Sequence, residues 1–131
     1  MNLDLALRMC EAAIREARRQ GALISVAVVD AGGHLIAFQR MDDAGIAGPA
    51  LAPAKARTAV ALRTATADLA PLTVPGGELY GLPADRFVCI GGGVPLWSAG
   101  RVAAGIGVSG GTVAQDVACA KAAEAMWDGL P

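Results

Sequence analysis

The sequence predicts an α+β fold: one domain, a sandwich in which a central antiparallel sheet is flanked by helices. Three observations predict it. Strand-like runs arrive in pairs joined by short glycine-bearing turns, as hairpins do. Helical segments come in blocks between those pairs rather than after every strand, so a doubly wound parallel sheet lacks its regular alternation. The 131 residues include 29 alanines and 17 glycines but only 4 % aromatics, a composition that builds a core from small side chains on closely packed elements.

Asn2 or Asp4 caps a first helix that runs to about Gln20 and stops at Gly21. Leu3, Ala6, Cys10, Ala13, Ile14 and Ala17 recur at helical spacing as one apolar stripe. Arg8, Glu11, Arg15, Arg18 and Arg19 fall on the other side, with Glu11 and Arg15 spaced to pair. Ile24–Asp30 and His34–Arg40 read as a hairpin turning at Ala31-Gly32-Gly33, its first strand apolar enough to be central. A long helix is expected to start near Leu51 or Ala52, because Pro53 suits only a first turn, and to reach Ala70. Pro71–Asp85 is a loop or lid carrying Tyr80. Phe87–Ile90 is expected as a short strand, followed by the hairpin Val94–Trp97 and Val102–Ser109. Within the latter, Gly105 and Gly107 alternate with Ala104, Ile106 and Val108. Isolated strand glycines mark close approach of a backbone or ligand. Thr112 and Gln115 then form a capping box opening a last helix from Val113 to about Trp127. The expected single domain covers 1–131.

A net charge of −1 argues against nucleic acid as a partner, and no apolar run is long enough to span a membrane. Cys10, Cys89 and Cys119 have no metal-binding or redox-motif spacing, so they read as reduced thiols in a cytoplasmic protein.

The candidate ligand-binding residues follow from chemistry. His34, the only histidine, reads as an axial ligand to haem iron, as a general base, or as a polar turn residue. Asp30 precedes Ala-Gly-Gly and reads as an Asx-turn acceptor or a ligand contact. Arg40 and Asp42 lie at the far end of the second strand, where the guanidinium can hold a carboxylate. Lys55 and Thr58 form an unexplained polar stripe on an apolar helix; Lys55 can anchor an anion, transfer a proton, or pair with Asp30 or Asp42. Ser109, Gly110, Gly111 and Thr112 lead into a helix N-terminus, where free amides favour an anion. The letters GIGVSG match a dinucleotide fingerprint, but their first two glycines lie inside a strand.

Several blocks follow one another in order: VVDAGGHL at 28–35, RMD at 40–42, AKARTA at 54–59, GGVP at 92–95, GIGVSGG at 105–111, and QD with ACA at 115–120. This succession resembles the GlcG/HbpS family, which includes the C-terminal domain of PduO-type proteins. The resemblance implies a profilin-like domain and homo-oligomers, from dimers to octamers. It also implies haem binding in some members, with His34 as the metal ligand if haem is bound and otherwise no cofactor. One branch is a secreted accessory to a sensor kinase; the absence of an export signal ahead of the first helix points away from that role.

Two functions are therefore expected. One is a small-molecule-binding, haem-binding homo-oligomer with His34 on the iron and Arg40 or Lys55 on the propionates. The other is a cofactor-independent isomerase, hydratase or hydrolase acting on a small anionic metabolite. There Lys55 or Asp42 would transfer the proton, Arg40 and the glycine amides of the Ser109–Thr112 wall would hold the carboxylate, and Tyr80 would reach in from the loop.

Overall fold

The computed structural model describes residues 1–128; residues 129–131 of the expected domain lie outside it. Helix α1 (Leu3–Gln20) is capped by Asn2, whose Oδ1 accepts from the Leu5 N–H at 2.8 Å, and ends on Gly21 at φ 70°. Its ion pair is Glu16 with Arg19; Glu11 and Arg15 form none. Strands β1 (Ser25–Asp30) and β2 (Leu35–Arg40) form the first hairpin, with Ser25 opposite Arg40 and Val29 opposite Leu35. His34 therefore belongs to the turn rather than to the strand. Strands β3 (Gly93–Ser98) and β4 (Arg101–Ser109) form the second hairpin. Its two-residue turn, Ala99-Gly100, has φ of 51° and 78°, the positive pair that matches the twist of the flanking strands.

All pairings are antiparallel, in the order β2-β1-β4-β3. The two central strands, β1 and β4, are the most apolar. Pro95, which has no N–H to donate, sits in an edge strand, where it is tolerated. Alternation along the strands gives the two faces different jobs. Val26, Val28, Ala104, Ile106 and Val108 face α1 and α4 (Val113–Glu124), with Met9, Cys10, Ala13 and Cys119 in the same core. Ala27, Val29, Gly105 and Gly107 face helix α2 (Gly48–Leu62). The result is three layers with the sheet in the middle, the α+β sandwich that the sequence predicts.

The glycines of β4 are the reason α2 sits where it does. A Cβ on Gly107 would drive into the Ala52 carbonyl oxygen, and one on Gly105 would lie 2.7 Å from the Ala56 carbonyl oxygen. One on Gly93 would strike the Lys55 carbonyl. The backbone that approaches these strand glycines is thus that of α2, which meets them with Ala52, Ala56 and Ala59, all fully buried.

Four sequence expectations are corrected. Helix α2 starts a turn early, at Gly48, because Gly48 seats on Ser25: a Cβ there would be 2.6 Å from Ser25 Oγ. Pro53 consequently lies inside the helix. The helix also stops at Leu62. Arg63 adopts φ 51°, and after this break a short helix α3 (Thr66–Leu69) and a 3₁₀ turn (Ala70–Leu72) resume. Phe87–Ile90 is not a strand. Its backbone is met by side chains instead: the Val88 N–H donates to Thr58 Oγ1 at 2.9 Å, and Thr66 Oγ1 donates to the Ile90 carbonyl at 2.6 Å. The last helix, expected to reach Trp127, ends at Glu124; Trp127 turns back so that its indole N–H donates to the Trp97 carbonyl at 2.8 Å.

Gly107→Ala is expected to destabilise the fold by about 1–3 kcal/mol or more, the range for overpacking against an unyielding neighbour. Gly45→Ala, with open space around the added methyl, should stay within about 0.5 kcal/mol of the parent. Urea unfolding midpoints of the two variants, read at equal slope, check the contrast.

Candidate functional site

The candidate residues fall into three places. Lys55 and Thr58 are interior: Lys55 is 2 % exposed and Thr58 1 %. The Lys55 ammonium donates to the Val108 carbonyl at 3.0 Å and to Asp116 Oδ2 at 3.3 Å. The other Asp116 oxygen accepts from the Gly111 N–H at 2.9 Å. Burial pulls the Lys55 ammonium below its ordinary pKa, opposed by the Asp116 charge. Burial likewise pushes the Asp116 carboxyl up, opposed by the Gly111 N–H and by Lys55. Thr58 Oγ1 donates to the Ala54 carbonyl while accepting from Val88. The polar stripe on α2 therefore has an internal job. With Thr66, it holds the 88–93 segment and the β4–α4 junction against the helix.

The Ser109–Thr112 wall belongs to the same network. The capping box is present: Thr112 Oγ1 accepts from the Gln115 N–H at 3.1 Å, and Gln115 Oε1 accepts from the Thr112 N–H at 3.0 Å. The helix start does attract an anion, and that anion is the chain's own Asp116. Asp116 lies in the first turn of α4 and is the partner of Lys55, in place of the Asp30 or Asp42 that the sequence suggests. The two are 61 residues apart, and only the sheet brings them together.

Arg40 and Asp42 meet at one end of β2. They line an open groove of about 590 Å³ with Ile14, Arg18, Leu23 and Met41. Arg40 Nη2 donates to the Ala44 carbonyl, and Met41 Sδ accepts from the Ile24 N–H at 3.3 Å, so both side chains shape the Met41–Ala44 turn. Tyr80 is exposed on the outer loop.

Asp30 and His34 occupy the opposite end of β2, at the hairpin tip. Asp30 Oδ1 accepts from the Gly32 N–H at 2.9 Å, from the His34 N–H at 2.9 Å, and contacts His34 Nδ1 at 3.1 Å. The His34 and Gly32 amides hold the Asp30 carboxyl below the usual carboxylate range. Gly32 leaves room for the imidazole: a Cβ there would be 2.8 Å from His34 Cε1. The His34 side chain is 81 % exposed, and its Nε2 has no hydrogen-bond partner among the described residues. Chemically, the tip presents an imidazole fixed at one nitrogen by a carboxylate and open at the other. That is how proteins orient a histidine toward a metal.

The family profile described as haem degrading protein HbpS-like matches residues 1–125. The chain belongs to the HbpS-like family. It is 40 % identical over 119 residues to the corrinoid adenosyltransferase PduO of Salmonella typhimurium, covering 88 % of this chain and 35 % of that protein. The chain thus spans about a third of the length of the PduO proteins it matches. It is 36 % identical over 109 residues to protein GlcG of Escherichia coli, covering 83 % of this chain and 81 % of that one. In three dimensions it superposes on the crystal structure of a PduOC–haem complex with a TM-score of 0.93 and 37 % identity, over 98 % of this chain and 95 % of the other. Among the described residues, no helix is long and apolar enough to cross a membrane.

Lys55→Met should cost about 3–5 kcal/mol, because it strands a buried carboxylate, and adding Asp116→Asn should restore part of that loss. Thermal melts of the single and double variants decide this. Burial pushes the Cys10 thiol up to about 12 and the Cys119 thiol up to about 11, so neither is a thiolate at pH 8. Cys89, half-buried with a thiol also raised by burial, is the accessible one. Alkylation at pH 8 should modify only Cys89 in the native protein and all three cysteines in denaturant, as counted by intact mass.

Proposed function

We propose that this chain is a haem-binding member of its family and that His34 Nε2 takes the iron. The observation that carries the reading is the Asp30–His34 dyad. One imidazole nitrogen is set by a carboxylate that is itself locked by two backbone amides, and the other faces outward. A carboxylate on Nδ1 fixes the tautomer and raises the basicity of the ligating nitrogen. The donor set fits a haem iron, and the likeness to a haem-bound PduO domain supports the choice of ligand. Bound there, haem would supply a redox-active iron, while the protein supplies orientation and a fixed tautomer. Leu35, 54 % exposed beside His34, offers apolar surface to a porphyrin edge.

A hairpin tip covers little of a porphyrin on its own, so the reading includes a homo-oligomer whose second copy covers the remainder. A cofactor-independent enzyme built on Lys55 and Asp42 draws less support. The Lys55 ammonium is buried and committed to Val108 and Asp116, whereas Asp42 lies in the open groove beside Arg40.

Ferric haem titration should give a saturable Soret shift that His34→Ala abolishes. Asp30→Asn keeps the turn acceptor but removes the charge on Nδ1, and should weaken haem by about 10–100-fold, as loss of an outer-sphere carboxylate does. Sedimentation at the titration concentrations should show more than one copy per particle. A shift that survives His34→Ala would sink the assignment.

A further inference from the structure

The haem reading leaves the propionates without a partner, because neither cation considered for them is available at His34. Arg40 is separated from Leu35 by the length of β2, about 17 Å at roughly 3.4 Å per residue. That exceeds the reach from a porphyrin's iron to its carboxylates. Lys55 is buried on Asp116. Arg57 is the side chain that does reach the tip. It stands on α2 on the face away from Lys55, and its stem lies across Gly33, the residue before His34. A Cβ on Gly33 would sit 3.4 Å from Arg57 Cγ and 3.7 Å from Cδ. Gly33 holds φ 80°, which favours glycine, and the Arg57 stem packs within ordinary contact distance of it.

The Arg57 guanidinium is exposed and forms no ion pair with any described carboxylate. Asp30, the nearest acid in the turn, spends Oδ1 on Gly32 and His34. A cation whose stem is positioned and whose head is unpaired, beside an oriented imidazole, is suited to a ligand carrying both a metal and a carboxylate. We propose that Arg57 anchors a propionate carboxylate of the haem whose iron His34 holds. This assignment rests on the haem reading above. The guanidinium fork accepts a carboxylate through two parallel N–H···O bonds, which sets the rotation of the porphyrin about the iron–histidine axis as well as adding affinity.

The test compares ferric haem with its dimethyl ester, which keeps the iron and ring but has no carboxylate, by Soret titration of the full chain. The parent should bind haem about 10-fold or more tighter than the ester, as expected of a charged hydrogen bond. Arg57→Gln should lower haem affinity to the level of the ester and leave the ester unchanged, while Arg57→Lys should recover part of the gap. The gap should also shrink as salt is raised. Arg57 is exposed, so circular dichroism of the variants should match the parent. If His34→Ala abolishes both titrations but Arg57→Gln keeps the parent's preference for haem over ester, the Arg57 assignment is overturned and the His34 reading stands. If His34→Ala leaves both titrations intact, the His34 reading fails and the Arg57 assignment fails with it.

Discussion

The direct contact between the backbone of α2 and the glycines of β4 is the constraint on which the rest of the molecule depends. At Gly105 and Gly107 the strand offers no side chain, and α2 descends until its carbonyls at Ala52 and Ala56 occupy that space. A helix this close brings its next residues within reach of groups an ordinary helix would not touch. Lys55 spans to the end of β4 and meets Asp116, and Gly93 fits under the Lys55 carbonyl. The cost of burying that charge pair is offset by geometry: the ammonium and both carboxylate oxygens have hydrogen-bond partners, the condition under which a buried pair is tolerable. The pair then ties three separate stretches of chain, α2, the end of β4 and the start of α4.

The same contact explains why α2 shows solvent a single charged residue, Arg57. A helix on the surface of a sheet shows solvent one charged face. The outer side of α2 is instead crossed by the 88–93 segment, which hangs from Thr58 and Thr66 by hydrogen bonds to Val88, Ile90 and Gly93. The 88–93 segment is thus a strap over α2. The break at Arg63 follows from it. Continuing α2 straight would carry Thr66 away from the strap, whereas the left-handed turn at Arg63 lets a second short helix place its hydroxyl between Ile90 and Gly93.

What was legible in the sequence was whatever local chemistry decides. Alternation of glycine with Ala104, Ile106 and Val108 announced a close approach, and Thr112 with Gln115 announced a helix start. Asp30 before Ala-Gly-Gly announced an Asx turn, and all three are present. The errors lie where long-range partners decide. Phe87–Ile90 has the apolar run of a strand, but its amide partner is a threonine 30 residues earlier. Nothing local marks Arg63 as a left-handed residue, since glycine or asparagine is the usual signal for that conformation. Lys55 stands out on so apolar a helix, but its partner, Asp116, is invisible without the sheet. Arg57 carries no local signal, because its neighbour is the hairpin turn at Gly33 and not its own helix.

These placements also sort the ionisable groups by what each is free to do. Lys55 and Asp116 have spent their charges on one another inside the protein, and changing either acts first on folding. Asp30, His34 and Arg57 lie at the surface, where water screens charge and where a lone ion pair contributes little to stability. Folding alone does not require an imidazole held by a carboxylate that two amides hold in turn, nor an arginine stem laid over a glycine next to it. The turn would close on the Asp30 bonds to Gly32 and His34 whatever side chain followed Gly33, because both of those bonds come from backbone N–H groups. The imidazole is therefore the one part of the tip that the turn does not need, and its open nitrogen is the natural place to look for the ligand.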